Sequence, residues 1–456
     1  MHFERALRVA QVGVMAVCIG VPPIMFGLGS RSAAIDNRAS TPRPAVSGTK
    51  LLDTAITDQF DHFLNDAFPF RQQAVRADAQ LARALGDSSN SEVEVGRDGW
   101  LFYASARTQP CIDSNEEARL VDALDRVERV MTAIDKRITH VIAPDKASIF
   151  TNKLASEPTC ILHNAEVFPT LDTDATLVTA WTETRAAAAG ENAVYRRLDT
   201  HWTSLGAAPT ASALVNSISP DLWDIDALAV AYTTDAPGDL SYLLGRDDTE
   251  PETVLTAVPY TPPSTSNPLV VDGTTIDGAV HQTDWPGAIA ERTVLFHDSF
   301  GGRLVPLVAP YFEDLVTIRG VSPRQESLQP TLAGSDHIVR EQVQREFYYD
   351  AVVNDLAAQF VVAFADDFDI VDLEVVCEST CVIAPVSSLA QSDESDYYAV
   401  ATLRDGVTDA EVVVDGVTHQ ITGSQPSFGL FLPARSHRIV VSDLQLVDWT
   451  GRAVTP

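Results

Sequence analysis

The sequence predicts an α/β fold, in which helices cover both faces of a largely parallel sheet, followed by a small β domain. Through the middle of the chain, apolar runs typical of buried strands alternate with helical patterns, as they do in parallel sheets. From about residue 365 onward the pattern changes to closely spaced short strands, which suits a small β-sandwich. The chain has 456 residues, too many for one ordinary core, so two domains after an N-terminal segment are expected.

The chain divides into four predicted segments. Residues 1–30 form a transmembrane anchor or signal peptide, 31–50 a linker, 51–362 the α/β domain and 363–456 the C-terminal β domain. The stretch from Val9 to Gly29 has no charged side chain and is long enough to cross about 30 Å of hydrocarbon as a helix. A cleaved signal peptide is the alternative, because Ser32-Ala33-Ala34 resembles a cleavage site. We favour the anchor; either interpretation places the rest of the chain outside the cytoplasm, membrane-anchored or secreted.

The α/β domain is expected to begin with a helix and a hairpin. A helical pattern runs from Leu51 to Leu85. Val93 to Val95 and Trp100 to Tyr103 then read as two strands, joined at Asp98-Gly99, a strong turn dipeptide.

The best marked helix of the chain follows. Ser114 is expected to cap it, with Glu117 as the partner in a capping box. Its apolar stripe comprises Leu120, Val121, Leu124, Val127, Met131 and Ile134. A buried strand from Ile138 to Ala143 is predicted next, ending at Pro144-Asp145-Lys146.

The rest of the α/β domain continues the alternation. Helices are predicted at Thr179–Ala188 and Thr203–Ile218, and strands at Val194–Leu198, Leu315–Ile318 and Ile338–Val339. Residues 245–290 are rich in Thr, Pro, Asp and Gly and are expected to form a surface insertion. Glu341 and Arg345 stand at helical i,i+4 spacing, which favours a structural ion pair.

Five strand-like runs make up the C-terminal domain. They are Val371–Val376, Tyr397–Leu403, Val412–Ile421, Phe428–Leu432 and Arg438–Val447. Asp415-Gly416 is a hairpin signal inside the third of these runs.

The charge and the cysteines limit the possible functions. A formal net charge of −31 argues against nucleic acid, and against a densely anionic polymer unless a local cleft is basic. Cys18 lies in the apolar N-terminal run, and residue order suggests two disulfides, Cys111–Cys160 and Cys377–Cys381, in an oxidising compartment. Four free thiols are the alternative. A Cys-x3-Cys without a second ligand pair is a poor zinc site, so no metal is expected.

Two polar stretches provide candidate catalytic residues. Ser299 lies between the apolar run Val294-Leu295-Phe296 and the pair Gly301-Gly302, a pattern typical of a strand-to-helix turn that exposes a serine hydroxyl. Earlier in the chain, Asp199 and His201 have i,i+2 spacing, so in an extended segment both side chains would point the same way. The carboxylate could then orient the imidazole toward Ser299, giving an orienter, a base and a nucleophile.

The amino-acid sequences of these two stretches resemble the catalytic blocks of a known family. "DTHWTSLGA" (Asp199 to Ala207) and "HDSFGG" (His297 to Gly302) are similar to those of the alginate O-acetyltransferase family (AlgX/AlgJ-like), a branch of the SGNH hydrolases. In that branch the Asp-His block precedes the serine block, as it does here. Further similar stretches are "NDAFPFR" (Asn65 to Arg71), "VGRDGWLFY" (Val95 to Tyr103), "APDKASIF" (Ala143 to Phe150), "GDL" (Gly238 to Leu240) and "DHIVREQVQREF" (Asp336 to Phe347).

The resemblance implies an SGNH-hydrolase-like sheet with a circularly permuted motif order. It also implies an O-acetyltransferase that modifies hydroxyl groups of an extracellular polysaccharide through an acyl-serine on Ser299, without a cofactor. A membrane-bound acyltransferase would be the acetyl donor, and the C-terminal β domain would bind carbohydrate, a purely structural module being the alternative. A carbohydrate esterase with the same triad and a non-catalytic polysaccharide-binding assembly protein are the competing functions.

Three further residues are candidate substrate contacts: Lys146, Arg303 and His297. Lys146 ends a predicted strand, where α/β sheets place ligand groups, although a lysine there is more often exposed and solvated. His297 departs from the resemblance, since the family usually has a small residue two places before the serine. Its ring could donate to the oxyanion or block the acetyl site, but we expect it to be buried behind the sheet.

Overall fold

The structure is a computed structural model. It describes residues 24–26, 90–156, 160–189, 194–257, 267–271, 274–320, 328–353 and 356–364, and the strands 371–377, 381–384, 397–402, 410–414, 417–421 and 427–432. The N-terminal anchor or signal peptide, the linker and the helix predicted at Leu51–Leu85 lie outside these residues, apart from 24–26. Among the described residues, no helix has both the length and the hydropathy needed to span a membrane.

The helices and strands have the following bounds. The helices are α1 (Ser105–Thr108), α2 (Ser114–Ala133), α3 (Lys146–Ile149), α4 (Cys160–Val167), α5 (Trp181–Ala189), α6 (Ser204–Ile218), α7 (Asp239–Leu243), α8 (Gly301–Val308), α9 (Gln329–Ala333), α10 (Gln344–Tyr348) and α11 (Leu356–Ala363). The strands are β1 (Val93–Val95), β2 (Leu101–Tyr103), β3 (Arg137–Ala143), β4 (Thr176–Thr179), β5 (Leu228–Pro237), β6 (Thr249–Ala257), β7 (Asn267–Val271), β8 (Thr274–Gln282), β9 (Thr293–His297), β10 (Asp314–Arg319), β11 (His337–Val343), β12 (Val371–Cys377), β13 (Cys381–Ala384), β14 (Tyr397–Thr402), β15 (Ala410–Val414), β16 (Val417–Ile421) and β17 (Ser427–Leu432).

The chain forms two compact units. The first comprises the described residues up to Ala104 together with Arg197–Thr200 and Asp235–Glu250, and the second comprises Ser105–Arg196, His201–Thr234 and the described residues from Pro251 onward. Three separate stretches of sequence therefore build the first unit.

The first unit contains the predicted hairpin and a small core. β1 and β2 pair antiparallel, and between them Asp98 and Gly99 have φ of 55° and 73°. Both φ values are positive, a region of backbone conformation that glycine adopts at no steric cost. The turn predicted at Asp98-Gly99 is therefore confirmed. The core consists of Val93, Leu101, Leu198, Leu240 and Leu244.

A seven-stranded sheet organises the second unit. Its order is β4-β3-β11-β9-β10-β8-β7, with parallel pairing from β4 to β10 and antiparallel pairing of β10 with β8 and β8 with β7. The largely parallel sheet is thus confirmed. Its carboxyl-terminal edge brings together the residues that follow β3, β11 and β9, because these strands are neighbours in the sheet.

Helices pack on both faces of the sheet, as predicted. Leu295 of β9 belongs to a core shared with α6 and α8, whereas Val294 and Phe296 belong to a core shared with α2 and α11. Successive side chains of a strand point to opposite faces, and a strand buried on both faces therefore reads as a continuous apolar run.

The surface insertion predicted for residues 245–290 is wrong for the second half of that range. β8 pairs with β10 over five residues, from Asp314↔Gln282 to Ile318↔Gly278, and so extends the main sheet. A Cβ at Gly278 would lie 2.3 Å from the carbonyl oxygen of Thr317, so the small residue permits the close approach of the backbones. The abundance of Thr, Pro and Gly suggested a loop. The strand β8 could not be recognised from local sequence because its partner β10 is distant in the sequence.

The cap predicted for the long helix is displaced by one residue. Asp113, not Ser114, is the N-cap of α2, and its carboxylate accepts the backbone N–H groups of Asn115 and Glu116. Glu116 completes the capping box by accepting the N–H of Asp113 at 3.1 Å. The predicted partner Glu117 is therefore not part of the box.

The structure contains the predicted disulfide Cys111–Cys160. Cys377 and Cys381 occupy opposite positions of the β12–β13 pair, but their side chains lie outside the described part of the structure. The second disulfide therefore stays a prediction.

The described residues after Phe364 form strands. β13, β12, β14 and β17 form a four-stranded sheet in that order, and β15 and β16 form a hairpin on either side of Asp415-Gly416. The strand predicted at Arg438–Val447 lies outside the described residues. The sandwich arrangement and the boundary at residue 363 remain predictions.

Candidate active site

Ser299 lies at the carboxyl end of β9, in a turn held by the side chain of Asp298. One oxygen of the Asp298 carboxylate accepts the N–H of Phe300 at 2.7 Å, and the other accepts the N–H of Val343 at 2.8 Å. The first bond closes the turn around Ser299, and the second ties that turn to the end of β11. Ser299 itself is exposed, and α8 begins two residues after it.

His201 contacts the serine hydroxyl directly. Its Nε2 lies 2.8 Å from the Oγ of Ser299. This distance is within the range expected between the nitrogen of a general base and the oxygen that it deprotonates. The imidazole also packs at a tilt against the ring of Phe300, with centroids 5.1 Å apart. The structure therefore brings together the predicted base and the predicted nucleophile, which are 98 residues apart in the sequence.

Trp202 links the histidine segment to the serine turn. Its buried indole donates from Nε1 to the carbonyl oxygen of Phe300 at 2.9 Å. Because Trp202 follows His201 and Phe300 follows Ser299, this bond also links the two candidate catalytic segments.

The segment before His201 is not the predicted strand. Instead of a strand at Val194–Leu198, a single pair between Tyr195 and Trp202 closes a short loop. Thr203 ends the loop as the N-cap of α6 and accepts the N–H of Gly206 at 3.2 Å. Gly206 packs on Val194, the residue just before the loop. A Cβ on Gly206 would lie 2.1 Å from the Val194 carbonyl oxygen, so only glycine fits.

Asp199 is buried in the first unit and is bound by the "GDL" stretch. Its carboxylate accepts the N–H of Asp239 at 3.2 Å, and the Asp239 carboxylate accepts the N–H of Thr200 at 2.7 Å. A Cβ on Gly238 would lie 2.0 Å from the carbonyl oxygen of Leu198. The stretch therefore fixes the backbone on either side of Asp199. The orientation of His201 by Asp199 stays a prediction from their spacing.

His297 packs beneath the start of α8. Its Nδ1 lies 2.7 Å from the carbonyl oxygen of Asp298, and a Cβ on Gly301 would lie 2.3 Å from its ring. Burial is the main cause that lowers the pKa of His297, partly opposed by the bond to Asp298, so the ring is neutral at pH 7. Gly301, two residues after Ser299, thus leaves space for the ring of His297, two residues before it.

The other two candidate substrate contacts lie in structured surroundings. Lys146 is buried at the start of α3, which contradicts the exposed, solvated side chain considered for it. Arg303 binds the buried carboxylate of Glu252 through its Nε at 2.6 Å, and Arg196 lies 3.9 Å from the same carboxylate. An ion pair therefore accounts for the position of Arg303.

The ion pair predicted between Glu341 and Arg345 is wrong. Glu341 lies in β11 and Arg345 in α10, so helical spacing does not apply to them. Arg345 binds Asp145 at 2.7 Å instead, across the adjacent ends of β11 and β3. Sequence reasoning missed this pair, although both residues lie in stretches that carry the family resemblance.

Comparison with known proteins confirms the resemblance inferred from the motifs. Residues 93–274 match a family described as "SGNH hydrolase-like domain, acetyltransferase AlgX". The match includes Asp199 and His201 and ends before Ser299, whose assignment therefore depends on its contact with His201. Over the matched residues the chain is therefore similar to an SGNH hydrolase-like domain.

Two curated relatives are named "Probable alginate O-acetylase AlgJ". The one from Pseudomonas aeruginosa is 26% identical over 186 residues, covering 37% of this chain and 44% of the relative. The one from Pseudomonas putida is 25% identical over 202 residues, covering 43% and 51%. The chain thus spans about half the length of the curated relatives it matches.

Two solved structures also resemble part of this chain. The O-acetyltransferase domain of Pseudomonas putida AlgJ superposes with a TM-score of 0.39 at 19% identity, covering 56% of this chain and 92% of that domain. Pseudomonas aeruginosa AlgX superposes with a TM-score of 0.43 at 14% identity, covering 78% and 89%.

Proposed function

We propose that this protein is an O-acetyltransferase that modifies hydroxyl groups of an extracellular polysaccharide through an acyl-serine intermediate. The observation that supports this most directly is the 2.8 Å contact between His201 Nε2 and Ser299 Oγ at the exposed carboxyl edge of the sheet. A serine with an adjacent imidazole can be deprotonated as it attacks, which is the basis of nucleophilic acyl transfer.

In the first half-reaction, Ser299 Oγ attacks the carbonyl carbon of the acetyl donor while its proton passes to His201. The oxyanion forms beside the N–H of Ser299, which we assign as one donor of the oxyanion hole. Collapse of the intermediate expels the donor's leaving group, which takes the proton from His201, and the acetyl group remains on Ser299.

In the second half-reaction, a sugar hydroxyl replaces the leaving group. His201 removes its proton as the sugar oxygen attacks the acetyl carbon, and the proton returns to Ser299 as the ester is released. Asp199 would keep the His201 ring in one tautomer and stabilise the imidazolium, without accepting the proton itself.

The partners follow from the same proposal. The acetyl donor would be a membrane-bound acyltransferase, and the protein would act outside the cytoplasm, held to the membrane by its N-terminal segment or secreted if that segment is cleaved. Alginate is the first acceptor to test, because the two curated relatives are named as probable alginate O-acetylases.

A carbohydrate esterase is the second candidate. The exposure of Ser299 favours it, since water would then reach an acyl-serine as easily as a sugar does. An assembly protein without catalytic activity is the third, and it is weakened by the presence of a serine and a histidine at hydrogen-bonding distance.

One assay separates the three candidates. Purified protein is given a chromogenic acetyl ester, with and without alginate oligosaccharides, and the products are identified by mass spectrometry. Acetylated sugar supports the transferase, free acetate alone supports the esterase, and neither product supports the assembly protein. Ser299→Ala is the control, because any product that survives this change does not come from the proposed site.

A further inference from the structure

Glu252 is a buried glutamate in β6, and each of its two carboxylate oxygens faces an arginine. Its Oε1 lies 2.6 Å from the Nε of Arg303, and its Oε2 lies 3.9 Å from an Nη1 of Arg196. The side chain of Arg196 is 9% exposed and that of Arg303 is 32% exposed. Three charged side chains from three separate stretches of sequence therefore meet at one buried carboxylate.

The two arginines lie beside the two halves of the candidate site. Arg196 belongs to the short loop that carries His201. Arg303 lies in the first turn of α8, the helix that begins just after Ser299. These four residues and Glu252 all belong to the second unit. Glu252 is therefore bound to the segment of the candidate base on one side and to the segment of the candidate nucleophile on the other.

Stability alone is a poor explanation for a buried carboxylate at this position. The cost of removing charged groups from water offsets most of the attraction between them, so a buried ion pair stabilises a fold little more than apolar side chains of similar volume. Such a pair does restrict how the segments that carry it can be arranged, because moving either segment leaves a buried charge without its partner. Glu252 is therefore suited to fixing Arg196 relative to Arg303.

We propose that Glu252 is a positioning residue that joins the loop of the candidate base to the first turn of α8. Its two partners, Arg196 and Arg303, transmit this link to the backbone on either side. His201 is thereby held within hydrogen-bonding distance of Ser299. Glu252 acts through its arginines rather than on the reacting atoms. The inference rests on the proposed function, in which Ser299 is the nucleophile and His201 is the base.

The link through Glu252 is separate from the bond between Trp202 and Phe300. That bond joins the two segments directly and through uncharged groups. The ion pairs of Glu252 instead pass through a third segment, the strand β6. A substitution at Glu252 therefore removes one link and leaves the other in place.

Two single substitutions and their combination test this link by labelling of Ser299 with a fluorophosphonate. Glu252→Gln removes the negative charge at nearly the same shape, and Arg303→Met removes the cation of α8 while Glu252 keeps Arg196. In each variant the maximal rate constant of labelling should fall by about 10- to 10²-fold, as expected when reacting groups are misplaced by up to about 1 Å. Labelling should still reach completion. A serial link gives the same result whether it is broken once or twice, so the double variant should lose no more than the weaker single variant.

A purely structural role predicts a different result. It would lower Tm and the fraction of protein labelled at the end point, while the rate constant of the folded fraction stays within about threefold of wild type. That outcome would overturn the proposal, as would a loss in the double variant equal to the product of the single losses. If Glu252→Gln does not fold, Arg303→Met decides alone, because it leaves the buried carboxylate paired with Arg196.

The matched control is the exposed ion pair between Arg137 and Glu291, whose charged groups lie 3.0 Å apart. Arg137 begins β3 and Glu291 precedes β9, so this pair lies at the amino-terminal edge of the sheet, opposite the edge that carries Ser299. Glu291→Gln and Arg137→Met repeat the two chemical changes where an ion pair contributes little. Both control variants should be labelled at the wild-type rate, and losses equal to those of the test variants would refute the link.

Hydrogen exchange tests the link without any activity. The N–H of Thr203 donates to the carbonyl oxygen of Val194 at 2.9 Å and so closes the loop that carries His201. If Glu252 holds this loop, the Thr203 amide should exchange about tenfold faster in Glu252→Gln, while the amides of β3 exchange as in wild type. An unchanged rate at Thr203, or an equal increase in β3, would contradict a local role.

The two experiments fail separately. If wild type is not labelled at Ser299, the proposed function fails, while exchange at Thr203 still decides whether Glu252 holds the loop. If wild type is labelled but neither the rate constant nor the exchange changes in the variants, the inference about Glu252 is wrong and the nucleophile remains.

Discussion

The two turns that form the candidate site are held in different ways. The Ser299 turn continues a central strand of the sheet, and one carboxylate, Asp298, binds the backbone N–H groups of Phe300 in the turn and of Val343 at the end of β11. The His201 turn is a loop closed by one backbone pair, Tyr195 with Trp202. The candidate nucleophile is thus positioned by the sheet, whereas the candidate base is positioned by side chains that reach from the loop. The base should therefore be the easier of the two to displace.

The largest effect is expected when the base itself is removed. His201→Ala leaves both turns in place but leaves no group to accept the Ser299 proton, so fluorophosphonate labelling should fall by about 10³-fold or more. Labelling followed by peptide mass spectrometry measures this, with Ser299→Ala as the blank. Undiminished labelling in His201→Ala would remove the histidine from the mechanism.

The next effect concerns the bond that joins the turns. Trp202→Phe keeps an aromatic side chain but removes the indole donor and leaves the Phe300 carbonyl oxygen with only the N–H of Arg303, which should cost about 1 kcal/mol of unfolding free energy and lower labelling about tenfold. Trp223→Phe is the control, because it also replaces an indole, one that packs on the ring of Tyr311. Equal effects of the two substitutions would show that the link between the turns is unimportant.

A smaller effect is expected at the Ser299 turn. Gly301→Ala places a Cβ 2.3 Å from the His297 ring and should destabilise the protein by about 1–3 kcal/mol. Gly302→Ala has no neighbour within 4 Å and should be neutral or slightly stabilising.

The double variant His297→Gly/Gly301→Ala tests whether the ring is the cause. If it is, the cost of the alanine should largely disappear once the ring is absent, so that the two changes are not additive in chemical denaturation. An additive result would contradict the packing of His297 beneath α8.

The smallest effect at neutral pH is expected at His140, away from both turns. Burial, assisted by Arg340, lowers the pKa of His140 to about 3, whereas the unfolded chain titrates near 6.5. The unfolded state therefore binds a proton first, and stability should decline as the pH falls from 6.5 toward 3. His140→Phe should flatten this acid limb in melts between pH 7 and 4, and an unchanged limb would exclude His140 as its cause.

Local sequence patterns determined a large part of this protein. Neighbouring residues determine the buried strands, the long amphipathic helix and the Asp98-Gly99 turn. The pairing of Cys111 with Cys160 could be predicted because the chain has few cysteines to choose from. The candidate nucleophile and base could also be identified, because each lies in a short motif of consecutive residues.

Tertiary structure alone decided the remaining features. The Thr- and Gly-rich β8 is a strand only because β10 lies beside it, and Arg345 binds Asp145 only because β3 and β11 are neighbours. Hydrogen bonds and ion pairs between distant segments depend on the strand order of the sheet, and local periodicity carries no information about that order.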